Sequence, residues 1–378
     1  MKRLRVLALM HEELVPPADA NGEMSLTADW KMEFDVLSSL RELGHDVQPL
    51  GVGEDLRATR RAIEGAKPDI AFNLLEHILD VPVFDQNVVS YLELLRVPYT
   101  GCNPRGLLLA RDKALAKQLL AYHRIPAPEF TVVRRGRVAR RPKRLTFPLI
   151  VKSLTSEASI GISQASVVDD DVKLRERVQF IHESIGTDAI VEQFIDGREL
   201  YVGVLGNERL QVLPVWEMLF TKMGPQAWHI ATDRVKSSRA YQKKHGIKTA
   251  EAEALPPGQA ERIQALCKRV YRALSLSGYA RMDLRCDTAG KVYVLEANPN
   301  PQLAYGEDFA ESAERAGISY GALLQRILNL GLQWLPVYVQ KGRQALWVML
   351  SCNLVVVRQR RVIATNGKHI MNMCSRSS

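Results

Sequence analysis

The first hundred residues constrain the fold most tightly, because short apolar runs alternate there with amphipathic stretches: residues 5–10, 31–43, 47–50, 56–65 and 70–74. Apolar runs of about four to eight residues read as strands, and the periodic segments between them read as helices. A strand, helix, strand crossover lays its two strands parallel in one sheet. Gly44 stands where the first helix should be capped at its C-terminus, and Pro98 and Gly101 bound the segment that closes the region. An N-terminal α/β domain over residues 1–101 is therefore expected.

A chain of 378 residues is too long for one core and suits two or three lobes. One helix is expected over residues 104–122, with Lys113 and Lys117 on the same face because they lie one turn apart. On its own that pair reads as a solvated lysine face. After Ile125-Pro126-Ala127-Pro128 come a strand, a basic hairpin over 134–144, and the apolar run 147–151, a buried strand with Lys152 at its mouth. Residues 189–206 read as two strands joined by a tight Asp196-Gly197 turn. Helix, strand, turn and strand follow over 259–297, then a last helix over 312–330. The divisions expected are 102–191, 192–335 with the candidate metal site, and an atypical tail over 336–378.

The bulk chemistry excludes more than it selects. Hydrophobic residues are 46% and charged residues 25% of the chain, a globular balance. The net charge of +9 favours anionic partners without choosing among them. Seven Lys or Arg fall within the eleven positions 134–144, but no aromatic residue is interleaved to stack on bases, so a solvated hairpin is preferred to a nucleic-acid or acidic-partner patch. The five cysteines (Cys102, Cys267, Cys286, Cys352 and Cys374) are scattered and never form CxxC, which suggests neither a disulfide framework nor zinc. With no signal-peptide pattern over residues 1–10, a cytoplasmic protein is expected. The apolar stretch 345–357 is thirteen residues, short of the roughly 20 that cross a bilayer, and reads as an extra strand or an appended tail.

The chemistry concentrates in residues 279–298, which read as a β-hairpin. Alternate residues share a face, so Arg281, Asp283 and Arg285 group on one strand and Glu296 and Asn298 on the other. A loop centred on Ala289 and Gly290 sets Asp283 opposite Glu296. Two opposed carboxylates repel unless a cation lies between them, and the nearby amide oxygen completes an oxygen-only set that suits magnesium, with manganese as an alternative. Magnesium held by one or two carboxylates fills its shell with water and substrate phosphate, which points to a nucleotide. The competing reading is a surface hairpin whose acids pair with Arg281 and Lys291.

At this point the chain resembles the ATP-grasp superfamily, in its D-alanine:D-alanine ligase-like branch. The residues that carry the resemblance run from about Val97 to Leu330: Pro98-Tyr-Thr-Gly101, Asp112-Lys113, Ile150-Val-Lys152, the 156–161 loop, 191–199 (VEQFIDGRE), Ala280-Arg-Met-Asp283 and Leu295-Glu-Ala-Asn298. The resemblance implies an ATP-grasp fold, mixed α/β and α+β, with a Rossmann-like N-terminal lobe and two α+β lobes clasping ATP. It implies that Lys113, Lys152 and Lys236 contact phosphates, with Ser159 and Gly161 in the loop over them. Glu192, Gln193 and Ile195 match the adenine-binding segment, and Glu199 the acid that binds ribose. Arg281 matches the arginine that stabilises the reacting acyl phosphate, and Asp283, Glu296 and Asn298 match the metal ligands. The implied reaction joins a small-molecule or peptide carboxylate to an amine through an acyl phosphate, with ADP released. A homodimer is weighed, and no membrane or nucleic-acid partner is expected.

Three departures separate the chain from that pattern. Ala158 replaces a loop serine, Asn298-Pro-Asn-Pro-Gln-Leu-Ala-Tyr-Gly-Glu-Asp308 replaces the proline-glycine-methionine segment and its serine, and Leu9-Met-His-Glu-Glu-Leu-Val-Pro16 stands in place of the glycine-glycine-serine signature. Substrates other than D-alanine are expected, met by His11, Glu12, Glu13, Glu76, His77, Asn300 and Tyr305. A non-catalytic ATP-binding regulator and a nucleic-acid-associated protein are the competing readings.

Overall fold

The computed structural model describes residues 2–334 apart from Thr27, Asp80, Glu157, Ala158 and Pro225. The altered loop position at Ala158 and the tail over 336–378 therefore lie outside the described residues. Within residues 2–334 the strands form three sheets.

The first sheet follows the sequence rhythm. Strand β1 (Arg5–His11), helices α1 (Gly22–Ser25) and α2 (Lys31–Glu42), β2 (Asp46–Val52), α3 (Leu56–Ala66), β3 (Ile70–Asn73) and α4 (Asp85–Leu94) follow in turn. The strands run parallel in the order β2-β1-β3. Gly44, at φ 85°, ends α2 where a side chain would be strained.

The expected helix over 104–122 is two helices, α5 (Pro104–Arg111) and α6 (Lys113–Tyr122). Asp112 breaks it: its extended backbone (φ −86°, ψ 103°) lets the carboxylate accept from the amides of Ala114 and Leu115 and cap α6. A capping hydrogen bond of this kind is worth about 1 kcal/mol and competes with helix continuation. The break aims Lys113 and Lys117 into the protein, at 7% and 2% exposure, so the lysine face is not solvated.

Strands β4 (Phe130–Val133), β5 (Leu149–Ser153) and β6 (Val167–Val168), helix α7 (Asp171–Phe180) and strand β7 (Ala189–Gln193) build an antiparallel sheet in the order β4-β7-β5-β6. Because β4 and β5 both pair with β7, the basic run between them is a loop and not a hairpin. Its arginines anchor it: Arg141 donates to the Leu145 carbonyl at 2.7 Å and Arg144 to that of Phe130 at 2.8 Å.

The third sheet comprises β8 (Arg198–Leu205), β9 (Gln211–Phe220), β10 (Ile247–Glu251), β11 (Tyr279–Cys286) and β12 (Val292–Pro299), in the antiparallel order β10-β9-β8-β11-β12. Helices α8 (Asp233–Ser237) and α9 (Arg239–His245) precede β10, and α10 (Gln259–Ala273) precedes β11. The turn at Asp196-Gly197 joins two sheets, since β7 and β8 never pair. Gly197 passes so close to β11 that a Cβ would strike the Cys286 carbonyl.

The final helix expected over 312–330 is likewise two, α11 (Asp308–Arg315) and α12 (Tyr320–Gln333), separated at Gly317, φ 77°. Phe309 and Ala313 of α11, Ile318 of the link and Leu324 and Ile327 of α12 join Val6, Met10, Ile70 and Phe72 of the parallel sheet and Leu205 and Tyr279 of β8 and β11 in one buried cluster. Each buried Val, Leu, Ile, Phe or Met among them contributes about 1.5–3 kcal/mol, so the parallel sheet and the five-stranded sheet are tied through one core. The four-stranded sheet has its own core, with Leu149, Val151 and Val191 under Leu174 and Val178 of α7.

Candidate active site

The hairpin forms, and Asp283 faces Glu296 while Arg281 faces Asn298. The pairing has an unanticipated cause. The strands leave the turn with Cys286 opposite Val292 and Leu284 opposite Val294, a register that would carry Asp283 to Leu295. A bulge at Leu295 inserts one residue and brings Glu296 across from Asp283.

Both acids sit deep in a charged cleft. Arg281 donates from Nε and Nη2 to the two oxygens of Asp283 at 2.8 and 3.0 Å, with its guanidinium over the Tyr201 ring at 4.8 Å. Burial raises Asp283 above the ordinary carboxylate range, against the pull of Arg281 and with help from the charge on Glu296. Burial acts the same way on Glu296, yet Lys113, Lys236, Lys152 and Arg281 together hold it at about 2. The competing surface-hairpin reading is half met: Asp283 does pair with Arg281, but Lys291 lies over the Tyr293 ring, and Asp283 is 4% exposed.

Opposite the hairpin, the lysines converge. Lys113 Nζ donates to the Ser156 carbonyl at 2.7 Å and stands 3.8 Å from Glu296. Lys152, on β5, is 2.8 Å from one Glu192 oxygen, and Lys117 is 3.3 Å from the other. Burial alone would raise Glu192, but Lys117 and Lys152 outweigh it and keep the acid ionised. Burial likewise disfavours a charged Lys152, and Glu192 with Glu296 reverses the effect and raises it.

A cleft between the four- and five-stranded sheets collects ten of the expected residues: Lys113, Lys152, Ser159, Glu192, Gln193, Ile195, Glu199, Lys236, Asp283 and Glu296. The space between these side chains is about 780 Å³, including the part open to solvent. Gly161 borders the same loop at φ 73°, with its carbonyl accepting from Arg177. Glu199 accepts from Arg285 and from the Tyr201 hydroxyl, each at 2.8 Å. A second cleft is lined by Arg281, Asn298, Asn300 and Glu76, and shares Lys236 and Glu296 with the first.

The remaining substrate candidates divide. The His11 and His77 rings touch, with centroids 4.8 Å apart. Glu12 lies against Gly51 and Gly53 at the end of β2, and neither it nor Glu13 lines either cleft. Tyr305 is 57% exposed; its ring meets that of Tyr320 edge-on, centroids 5.6 Å apart, and its backbone is held by Lys31 and Asp35.

The sequence profile described as D-ala D-ala ligase C-terminus matches residues 119–329. The D-alanine–D-alanine ligase of Desulforudis audaxviator is 31% identical over 301 residues, covering 78% of this chain and 90% of that protein. The chain belongs to the D-alanine–D-alanine ligase family of ATP-grasp proteins. The uncharacterized protein y4sG of Sinorhizobium fredii is 32% identical over 300 residues, 78% of this chain and 85% of that one. In fold, the chain is similar to the D-alanine–D-alanine ligase from Bacillus anthracis complexed with ATP, with a TM-score of 0.66 at 23% identity over 87% of this chain and 98% of that one. The VanG D-Ala:D-Ser ligase from Enterococcus faecalis has a TM-score of 0.61 at 18% identity, over 86% and 99% of the two chains.

For this D-alanine–D-alanine ligase relative, the fit to a metal rests on the donor set. Among the described residues no group of three or more His, Cys, Asp and Glu could hold a metal. Asp283, Glu296 and Asn298 are a different kind of set, two opposed carboxylates and an amide, and the like charge on Glu296 that helps raise Asp283 is what an intervening divalent cation would offset. Two site residues escaped sequence reasoning. Arg285 is 3% exposed, lines the first cleft and grips Glu199; its shared parity with Asp283 was the available signal. Lys117 lies behind Glu192, and its one-turn spacing from Lys113 was visible but not its burial.

Proposed function

We propose that the chain is an ATP- and magnesium-dependent, ADP-forming ligase that joins a carboxylate to an amine through an acyl phosphate, with substrates other than two D-alanines. One observation carries the reading: Lys113, Lys152 and Lys236 converge with Asp283 and Glu296 in a cleft continuous with a second one lined by Arg281 and Asn298.

Phosphoryl transfer needs positioning and charge neutralisation more than a protein nucleophile. Lys113, Lys152 and Lys236 supply point charges for the phosphates. The strand edge over Gln193–Ile195 suits adenine, and Glu199, oriented by Arg285 and Tyr201, suits ribose hydroxyls. Bound magnesium, on Asp283, Glu296 and Asn298, would neutralise phosphate charge during transfer. Arg281, already fixed by Asp283 and Tyr201, faces the second cleft, where charge develops on the acyl phosphate before the amine attacks.

The substrates enter through the second cleft, whose wall over 298–302 departs from the family pattern and presents Asn300 and Gln302. Asn300 adopts a left-handed backbone (φ 51°) and its Oδ1 accepts from the Cys102 amide at 2.8 Å, so its position is fixed by the fold. Purified protein given ATP, magnesium and pools of amino acids and peptides should release ADP and phosphate, and a variant carrying Glu296→Ala and Asn298→Ala should not. ATP binding with no turnover on any pool would favour a non-catalytic regulator instead.

A further inference from the structure

Lys117 touches no cleft, yet it is among the most deeply buried charges in the chain, at 2% exposure. Its Nζ donates to the Leu295 carbonyl at 3.0 Å and lies 3.3 Å from Glu192 Oε1. Leu295 is the bulged residue of β12, the one whose insertion brings Glu296 opposite Asp283. Glu192, itself fully buried, has Lys152 at 2.8 Å on its other oxygen.

We propose that Lys117 is a positioning residue for the phosphate half of the site, acting through Glu192 on Lys152 and through the Leu295 carbonyl on Glu296. The inference rests on the reading that the first cleft binds a nucleoside triphosphate.

The electrostatic part follows from counting charges. Lys117, Glu192 and Lys152 form a buried triad with a net charge of +1, and only the Lys152 and Glu192 members line the cleft. Without Lys117, Glu192 and Lys152 close into a neutral pair, and Lys152 presents little charge to an incoming phosphate. With Lys117 on the far oxygen, Glu192 is shared, and the surplus positive charge is left on the side that faces the cleft. In a weakly screened interior this redistribution is felt strongly.

The geometric part follows from α6. Lys113 and Lys117 are one turn apart, so they project from the same helical face. Lys113 reaches the cleft side, at the Ser156 carbonyl and Glu296, and Lys117 reaches the back, at Leu295. One helix thus holds the Leu295-Glu296 segment from two sides, and a bulge held by a buried ammonium is less free to slip than a bare one.

The test compares binding of three probes to the full chain, with magnesium present: ATP, inorganic tripolyphosphate and adenosine. Lys117→Met should weaken ATP and tripolyphosphate about tenfold or more while leaving adenosine within about twofold, and Lys117→Arg should recover most of the loss. The double variant Lys117→Met, Glu192→Gln should regain tripolyphosphate affinity, since removing the acid frees Lys152 again. Thermal melts accompany each variant, and if Lys117→Met does not fold, the double variant and Lys117→Gln carry the comparison. Equal losses for all three probes, no loss for any, or no recovery in the double variant would overturn the proposal. Failure of the unaltered protein to bind ATP or tripolyphosphate would instead overturn the nucleotide reading itself.

Discussion

Arg281 holds both carboxylate oxygens of Asp283, at 2.8 and 3.0 Å, while its guanidinium lies over the ring of Tyr201. The fork is therefore oriented from two directions before any substrate arrives. A lysine cannot reproduce a bidentate, stacked geometry. Arg281→Lys is expected to lower the rate of ADP release about a hundredfold, the scale of removing one preorganised donor from a reacting oxyanion, with ATP affinity nearly unchanged. Steady-state ADP release beside equilibrium ATP binding checks this, and turnover at the unaltered rate would remove Arg281 from the reacting centre.

Glu296 gives the metal prediction. Chelation should stop phosphate release, and added magnesium should restore it. Glu296→Gln keeps shape but removes a charge from a set of two carboxylates and an amide, so half-maximal activity should require at least about tenfold more magnesium. A magnesium titration of both proteins reads the shift directly; superimposable curves would place the cation elsewhere.

Much of this arrangement is legible from local pattern. The alternation over residues 5–74 specifies β1, α2, β2, α3 and β3 because periodicity and turn chemistry act over a few residues. Strand parity likewise groups Asp283 with Arg281 and Glu296 with Asn298. Opposition of Asp283 and Glu296 is reached by a different route: the chain turns around Ala289 and regains register through the bulge at Leu295. A single extra residue leaves no periodic trace. Other misses share a non-local cause. Asp112 ends one helix and caps another because its carboxylate outcompetes helix continuation, and that break decides the burial of Lys113 and Lys117. The partners of β7 and β8 are set by sheets assembled from distant segments, so adjacency across Asp196-Gly197 misleads. Glu12 lies against Gly51 and Gly53 and the Tyr305 ring against Tyr320, contacts that loops make across the fold and no local pattern reports.

The loop over 299–307 is clamped to α2 by Asp35. The Tyr305 amide donates to Asp35 Oδ2 at 2.9 Å, and Lys31 bridges Asp35 and the Tyr305 carbonyl, at 2.5 and 2.9 Å. This loop carries Asn300 and Gln302 into the second cleft. Asp35→Ala removes the clamp and should cost about 1–2 kcal/mol of stability through lost hydrogen bonds. Acceptor KM should rise roughly fivefold or more at unchanged ATP KM, because only uniform binding at the second cleft is disturbed. A rise in ATP KM of the same size would show that the loop serves the nucleotide.

Glu33 makes stability depend on pH in a direction opposite to most carboxylates. It lies in the first turn of α2 at 1% exposure, and neither oxygen has a hydrogen bond of good geometry among the described residues. Burial is the largest cause that raises it, its own backbone amide opposes this, and the charges of Glu76 and Asp35 add to the rise, carrying it from 4.5 to about 7. Below pH 4.5 both folded and unfolded chains hold the proton, and no penalty exists. Between 4.5 and about 7 the folded chain keeps a proton that the unfolded chain has released, so stability falls as pH rises, and above about 7 the loss is complete. Its ceiling is about 3 kcal/mol. Glu33→Gln stays neutral throughout, so its stability relative to the unaltered protein should improve by about 2 kcal/mol or more between pH 5 and pH 8. Urea melts at those two values read the difference. A gap that does not change with pH would mean that Glu33 ionises normally in the fold, and would require a cationic partner beside it.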